Sequence, residues 1–317
     1  MDDVHDAPAS DGRATFLQDV LTGLKQWPKS LPCQYFYDET GSELFEQISE
    51  LPVYYPTRSE TASLRAHAAD IAAALGEHVL LVEYGAGAST KTRILLDALE
   101  TMSGYVPVDV SEAFLLQTAE QVRRDYPGLK VYPIVGNFMV RLGLPMGATG
   151  QPVGFFPGST IGNLSDAEIT EFMSAAKDLL GPDSQFVIGV DLRKDPSILV
   201  PAYDDAAGVT AACNLNLLAR INRELGADFD LTGFEHRAIW NDEASRIEMH
   251  LQSLQDQTVQ IGPDTIQFSK GETIHTENSR KFSIDTLVPL FEQTGWTLKT
   301  QWLDEKRYFA VLLLSAK

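Results

Sequence analysis

Residues 78–109 read HVLLVEYGAGASTKTRILLDALETMSGYVPVD, and this stretch decides the fold. HVLLVEYG is a short apolar run that ends in a glycine-bearing loop, GAGAST; the helical pattern KTRILLDALE follows, then a second apolar run, GYVPVDV. Apolar runs of strand length separated by helices of about 10–15 residues fit a parallel sheet with right-handed crossovers, because each parallel neighbour needs a crossing segment that covers a sheet face. The same rhythm continues downstream. SEAFLLQTAEQVRRDY reads as a helix, KVYPIVGNF and PVGFFPGS as strands, DAEITEFMSAAKDLL as a helix and SQFVIGVDL as a strand. Upstream, ETASLRAHAADIAAAL places Leu64, Ala68, Ile71 and Leu75 on one helical face.

The rhythm breaks after Asp195. Residues from about 196 to 281 mix a helix, VTAACNLNLLARINREL, with antiparallel-looking strands, FEHRAIW and RIEMHLQSL. The sheet resumes with the helix SIDTLVPLFEQTG and the runs WTLKTQWLDEK and RYFAVLLLSA, whose close spacing predicts a final antiparallel pair. The expected fold class is therefore α/β: a doubly wound sheet interrupted by an insertion, which joins residues 13–58 to make a second, smaller α+β lobe.

Composition narrows the function. The chain has 317 residues, a net charge of −19, 44% hydrophobic residues and 22% charged residues. That length suits about two domains of roughly 150 residues, or one α/β domain with an insertion. The acidic balance opposes a nucleic-acid partner, since phosphates would be repelled and no basic patch is visible. Two cysteines, Cys33 and Cys213, fit a reducing compartment and no disulfide framework. The N-terminus MDDVHDAPASDGRATF is acidic and lacks the apolar centre of a signal or transit peptide; residues 1–12 are expected to be flexible. No apolar run of the length that spans a bilayer occurs. The expectation is a cytoplasmic monomer that uses small molecules.

Glycines at 85 and 87 let the backbone turn sharply and approach a ligand, with a helix N-terminus behind them supplying N–H groups. The dinucleotide fingerprint calls for a third glycine where Thr90 stands, which weakens a pyrophosphate reading and an NAD oxidoreductase with it. Asp109 lies 22 residues past Gly87 at the end of the next strand, where a carboxylate accepts both ribose hydroxyls. Asn137 and Phe138 end the third strand and offer an amide to a base edge and a ring to its face. Three such residues on three successive strand ends point to a nucleoside ligand, because doubly wound sheets bind ligands outside the carboxyl ends of their strands. The plainer alternative is a tight βα turn at Gly85 and Gly87, with Asp109 capping the helix that starts at Ser111.

Other chemistries fit less well. GSTIGN carries Thr160 where a nucleophile elbow needs serine, so a serine hydrolase is rejected. Histidines at 5, 67, 78, 236, 250 and 275 lack metal-ligand spacing, and no metal site is expected. The cysteines form no CxxC pair. Asp204 and Asp205 read as solvated or capping acids. Asn163, after the fourth strand, can donate to a carboxylate and accept from an amine; alternatively it is a left-handed turn residue after Gly162.

Several long segments carry a family resemblance: LPCQYFYDETGSELFEQISELPVYYPTRSE, EYGAGASTKTR, GSTIGNL, AYDDAAGVTAACNLNLLARINRELGADFDL, RIEMHL and TENSRKF. From about residue 29 to the C-terminus the chain resembles the ergothioneine-pathway L-histidine Nα-methyltransferases, which use S-adenosyl-L-methionine. The resemblance implies a class I (Rossmann-like) methyltransferase domain over 59–194 and 282–317 and a substrate lobe over 13–58 and 195–281. By matching position, Gly85, Lys91, Asp109, Asn137 and Phe138 would hold the cofactor. Tyr37, Phe45, Tyr54, Gly158, Asn163, Tyr203, Met249, Glu277 and Ser279 would hold L-histidine. Asn163 and Tyr203 would take the carboxylate and amine end, and Glu277 and Ser279 the imidazole; Tyr37 and Asn163 are the residues expected to orient the reacting amine. Asn137 departs from the family, which commonly has Asp there. Without the resemblance, Tyr37, Tyr54, Phe45 and Met249 read as packing residues, Glu277 as a loop acid and Tyr203 as a helix-flank residue. The competing readings are a methyltransferase for another free amino acid or amine and a catalytically silent nucleoside-binding protein.

Overall fold

The computed structural model describes residues 9–87, 90–140 and 142–317; the expected flexibility of the N-terminus lies, for residues 1–8, outside them. The chain opens with α1 (Ala9–Lys25), β1 (Lys29–Ser30), α2 (Glu39–Glu50) and α3 (Tyr55–Leu75). An alternating run follows: β2 (Val79–Tyr84), α4 (Thr90–Ala98), β3 (Met102–Asp109), α5 (Glu112–Asp125), β4 (Ile134–Val135), β5 (Gln151–Phe156), α6 (Asp166–Leu180) and β6 (Gln185–Asp191). Next come α7 (Pro196–Tyr203), α8 (Val209–Leu225), β7 (Phe234–Asn241), β8 (Arg246–Ser253), β9 (Gln257–Ile261), β10 (Asp264–Phe268) and β11 (Thr273–Arg280). The chain closes with α9 (Ile284–Gln293), β12 (Trp296–Leu303) and β13 (Phe309–Ala316).

Two compact units result. The larger comprises Ser49–Ile198, Asp242–Arg246 and Ser279–Lys317; the smaller comprises the chain up to Ile48 with Leu199–Asn241 and Ile247–Asn278. Residues 49–58, expected with the smaller lobe, cluster with the larger unit. The reason is α3, whose first residue, Tyr55, donates its hydroxyl to Asp191 Oδ2 at the end of β6 at 2.6 Å.

The larger unit holds a seven-stranded sheet in the order β12-β13-β6-β5-β2-β3-β4. β4, β3, β2, β5 and β6 run parallel, while β13 is antiparallel to both β6 and β12. Both faces are covered, as strand alternation requires. Leu80, Val82 and Tyr84 of β2 join one core with Phe172 and Met173 of α6 and Leu287 and Phe291 of α9. Val79 and Leu81 join the other with Leu64 and Ile71 of α3, Leu95 of α4 and Val122 of α5. KVYPIVGNF is less regular than its apolar run suggests: only Ile134–Val135 pairs as a strand, with an isolated bridge from Val131 to Tyr105. Pro133 interrupts the ladder between them, since it has no N–H to give.

In the smaller unit, β1, β11, β8 and β7 are successive neighbours in one sheet, with β1 parallel to β11. Alternate residues of β8 are buried, the pattern of a strand with one covered face. A separate antiparallel hairpin, β9–β10, turns at Gly262 with φ +57°. The sequence reading did not assign this hairpin.

Candidate active site

The parallel strands of the larger unit end at one edge of the sheet, and the loops there gather the predicted residues. Gly85 follows β2 with φ +70° and Gly87 has φ +47°, conformations that favour glycine. Gly85 N donates to Val108 O at 2.9 Å, which pins the loop to the next strand. Among the described residues, a Cβ built at Gly85 would meet nothing within 4 Å. Asp109 accepts Gly87 N–H at 3.3 Å on one carboxylate oxygen and Ser111 N–H at 2.9 Å on the other. Asp109 thus serves both the glycine loop and the entrance to α5, and each oxygen retains acceptor capacity. Gly136 N donates to Asp109 O at 2.9 Å and brings the third strand end alongside. There Asn137 Oδ1 accepts Met139 N–H at 2.9 Å, and the Phe138 ring packs edge-on against Phe156 and Phe172 at 5.1 and 5.5 Å.

Lys91, in the first turn of α4, and Gly158, after β5, are tied through a residue the sequence reading missed. Glu60 of α3 is 1% exposed and accepts Gly158 N–H on both oxygens, at 3.0 and 2.8 Å. Lys91 Nζ lies 2.5 Å from its Oε2. Gly158 has φ +83°, and a Cβ there would stand 3.5 Å from Lys91 Nζ. Glu60 had a visible signal: it falls on the apolar stripe of α3 that continues through Leu64, Ile71 and Leu75.

A second buried carboxyl, Glu83 of β2, accepts from Thr92 Oγ1 at 2.6 and 2.7 Å and from the Tyr105 hydroxyl. Burial pushes it up to about 8 in spite of these bonds.

Asn163 lies half-buried in the 3-10 turn Thr160–Asn163, and the left-handed residue there is Ser159, with φ +57°. The alternative of a left-handed Asn163 therefore does not hold. Ser159 Oγ instead accepts Asp191 N–H at 2.9 Å. Tyr54 is buried at the start of α3, its carbonyl accepting from Arg58 Nη1 at 3.1 Å. Ser279 Oγ accepts from Lys281 Nζ at 2.8 Å.

The remaining predicted residues lie in the smaller unit. Tyr37 and Phe45 meet edge to face, with centroids 5.8 Å apart, and Phe45 is 38% exposed. Between them in sequence, Asp38 accepts from Gly41 N at 2.7 Å, Asn216 Nδ2 at 2.8 Å and Arg223 Nη2 at 2.5 Å. Burial pushes Asp38 up, but these donors together hold it below the usual carboxylate range. The Tyr203 carbonyl accepts from His236 Nε2 at 2.7 Å, while Asn214 Nδ2 stands 2.8 Å from His236 Nδ1. Burial lowers His236, which fits a neutral ring donating from Nε2 and accepting at Nδ1. Met249 is buried on β8 and its carbonyl accepts from Thr276 Oγ1 at 3.0 Å. Glu277 lies on β11; burial, with the charges of Glu277 and Asp38, pushes the Cys213 thiol up to about 12, far from a reactive thiolate.

Comparison with known proteins bears on the family and the fold. A family described as histidine-specific, SAM-dependent methyltransferase matches residues 16–316. Histidine N-alpha-methyltransferase of Mycolicibacterium smegmatis (strain ATCC 700084 / mc(2)155) is 44% identical over 311 residues, covering 96% of each chain. The protein of the same name from Mycobacterium tuberculosis (strain CDC 1551 / Oshkosh) is 43% identical over 312 residues, again covering 96% of each. The crystal structure of an S-adenosylmethionine-dependent methyltransferase from Clostridium acetobutylicum ATCC 824 shares the fold, with a TM-score of 0.51 at 10% identity over 86% of this chain and 98% of that one. The sheet order and the loops at its carboxyl edge define a class I, Rossmann-like methyltransferase. Within that class, the chain belongs to the histidine-specific, SAM-dependent methyltransferase family.

Proposed function

We propose that the chain transfers methyl groups from S-adenosyl-L-methionine to the α-amino nitrogen of L-histidine, three in succession, giving the trimethyl betaine that begins ergothioneine synthesis. The observation that carries this reading is the family match over residues 16–316, with relatives at 44% and 43% identity along nearly their whole length. Ergothioneine biosynthesis protein 1 of Neurospora crassa (strain ATCC 24698 / 74-OR23-1A / CBS 708.71 / DSM 1257 / FGSC 987), 28% identical over 303 residues and matched over 34% of its own length, supports the pathway.

The cofactor assignment rests on fit. No described residue stands within 4 Å of a Cβ at Gly85, which supports a ligand lying against the loop backbone there. Asp109 has acceptor capacity left for ribose hydroxyls, Asn137 and Phe138 offer an amide and a ring face to the adenine, and Lys91 offers a cation to a carboxylate. When bound, S-adenosylmethionine supplies an electrophilic methyl on a sulfonium.

Little covalent chemistry is left for the protein, whose task is to align an amine and exclude water. An ammonium has no lone pair, so the amine must be neutral when it reacts. Asn163 and Tyr203 take the carboxylate and amine end of histidine, and Tyr37 with Asn163 orients the nitrogen. Glu277 accepts an imidazole N–H and Ser279 bonds the other ring nitrogen, with Gly158, Tyr54 and Met249 lining the substrate. Phe45, partly exposed and edge to face with Tyr37, gives an apolar wall that tolerates successive methyls. Both cysteines are free thiols, which supports a cytoplasmic setting, and a monomer is the assembly we propose. No helix among the described residues is long and apolar enough to cross a membrane.

The test is mass spectrometry of products after incubation with S-adenosylmethionine and L-histidine beside a panel of other amino acids. Mono-, di- and trimethylated histidine support the reading; methylation of a different amino acid in preference to histidine overturns it.

A further inference from the structure

The larger unit gives up a side chain on β6 to admit the Glu60 carboxylate. Gly189 lies inside that strand, and a Cβ built there would stand 2.0 Å from Glu60 Oε1 and 3.0 Å from Phe309 Cε1. Glycine in a strand interior weakens it and marks a place where another group comes close. Here that group is the end of a buried glutamate from α3. On its other sides the carboxylate accepts Gly158 N–H on both oxygens, at 3.0 and 2.8 Å, and Lys91 Nζ on Oε2 at 2.5 Å. Burying an ion pair is a weak source of stability, and an apolar side chain on α3 would cover the sheet as well. Four elements of one unit, α3, α4, β6 and the loop after β5, thus converge on a charge that packing does not require.

We infer that Glu60 is a positioning residue for the amino-acid end of the cofactor: it fixes the Lys91 ammonium in place, and so lets the chain select a ligand that carries a carboxylate. The inference rests on the assignment of Lys91 to the cofactor. A lysine side chain is a point charge on a flexible four-carbon stem, and it gives up rotamer freedom when it binds. Lys91 leaves the first turn of α4, where the helix N-terminus already carries positive potential, so the helix itself does not hold a cation there. Glu60 supplies that hold from α3. An ammonium has three protons, and the bond to Oε2 directs one of them toward the Glu60 slot. The direction of the charge is then set before any ligand arrives, and a preorganised partner binds more tightly because less ordering remains to be done. Glu60 is itself an anion and competes with a ligand carboxylate for Lys91. The Gly158 N–H, shared by both of its oxygens, takes up part of that charge and limits the competition.

The experiment is calorimetry of the full chain with two ligands: S-adenosylhomocysteine, and its decarboxylated form, which keeps the amine and lacks the carboxylate. The readout is the ratio of the two Kd values, the preference for a carboxylate. Glu60→Gln retains the shape and one acceptor oxygen and removes the charge. We expect it to lower the preference about tenfold by loosening S-adenosylhomocysteine alone, as loss of one charge-assisted contact does. Lys91→Met should lower the preference at least as far, and the double variant no further than Lys91→Met, because both act on one contact. Gly189→Ala reaches the same end by a separate route, since its Cβ takes the place of Glu60 Oε1 while Glu60 and Lys91 both remain in the chain. It too should lower the preference. A general structural role would weaken both ligands alike and leave the ratio unchanged in Glu60→Gln and Gly189→Ala, which overturns the inference. A preference that rises in Glu60→Gln also overturns it, because Glu60 would then be a competitor for Lys91 and not its support. If Lys91→Met lowers the preference and Glu60→Gln does not, the inference is wrong and the Lys91 assignment stands. If Lys91→Met leaves the preference unchanged, the assignment itself falls and the inference with it.

Discussion

Lys91 and Glu60 stand 2.5 Å apart, and the same Glu60 carboxylate holds the backbone N–H of Gly158. One buried acid therefore ties α3 and α4 to the loop after β5. Glu60→Ala would leave a mostly buried ammonium and a backbone donor without their acceptor. Removing one partner of a buried pair costs about 3–5 kcal/mol. The expected outcome is a large drop in the urea midpoint together with weaker S-adenosylmethionine binding, while Glu60→Gln, which retains an acceptor for Gly158, loses less. Equal midpoints for wild type and Glu60→Ala would show the pair to be unimportant.

Asn137 gives its Oδ1 to Met139 N–H, and its other terminal atom is a nitrogen, which only donates. An aspartate there would retain the turn and present a second oxygen to an adenine amino group. Asn137→Asp is expected to tighten S-adenosylmethionine binding roughly 10- to 100-fold by calorimetry, from about 1.5–3 kcal/mol for a hydrogen bond to a charged group. Asp109→Ala should act in the opposite direction by a similar margin. Unchanged affinity in both variants would remove these residues from the cofactor site.

Glu277→Ala should raise KM for histidine by roughly 10- to 100-fold and narrow discrimination against other amino acids, since a carboxylate bond to a ring N–H contributes about 1.5–3 kcal/mol. Steady-state kinetics on a substrate panel read both effects. Unaltered histidine kinetics would exclude Glu277 from the imidazole contact.

Glu83 holds its proton to about pH 8, against an ordinary value of 4.5. Between those limits the folded chain retains a proton that the unfolded chain has released. Its stabilising contribution is complete below about pH 4.5 and is lost as pH rises to about 8. Glu83→Gln cannot ionise and should lose less stability than the wild type across that window. Denaturant midpoints at acid and alkaline pH, differing in favour of the variant as pH rises, are the expected result; parallel curves would show that Glu83 ionises normally.

The parallel sheet was legible because short apolar runs and intervening helices announce themselves: Leu80, Val82 and Tyr84 face one core and Val79 and Leu81 the other, so a strand buried on both faces reads as a near-continuous apolar run. The glycine loop and Asp109 were legible because backbone turns and strand-end acids have short, local signatures. Glu60 was not, since it lies 31 positions before Lys91 in a helix without a motif. Its one clue was a charge on an apolar stripe. Lys281 and Asp191 are 90 residues apart, and only strand pairing and the closing chain bring them together. The β9–β10 hairpin escaped because QTVQI and DTIQF are short and mostly polar, with alternation over too few residues to stand out.

β13 lies between β6 and β12, so a strand that follows both of them in sequence is an internal plank of the sheet and not its edge. Both of its neighbours, β6 and β12, leave the ribosome before it does. Until then β6 presents an unpaired flank, a surface on which nascent chains stick to one another and to which chaperones bind. Deletion of Phe309–Ala316 would thus split β12 from the rest of the sheet, and proteolytic clearance rather than a trimmed enzyme is the fate to expect.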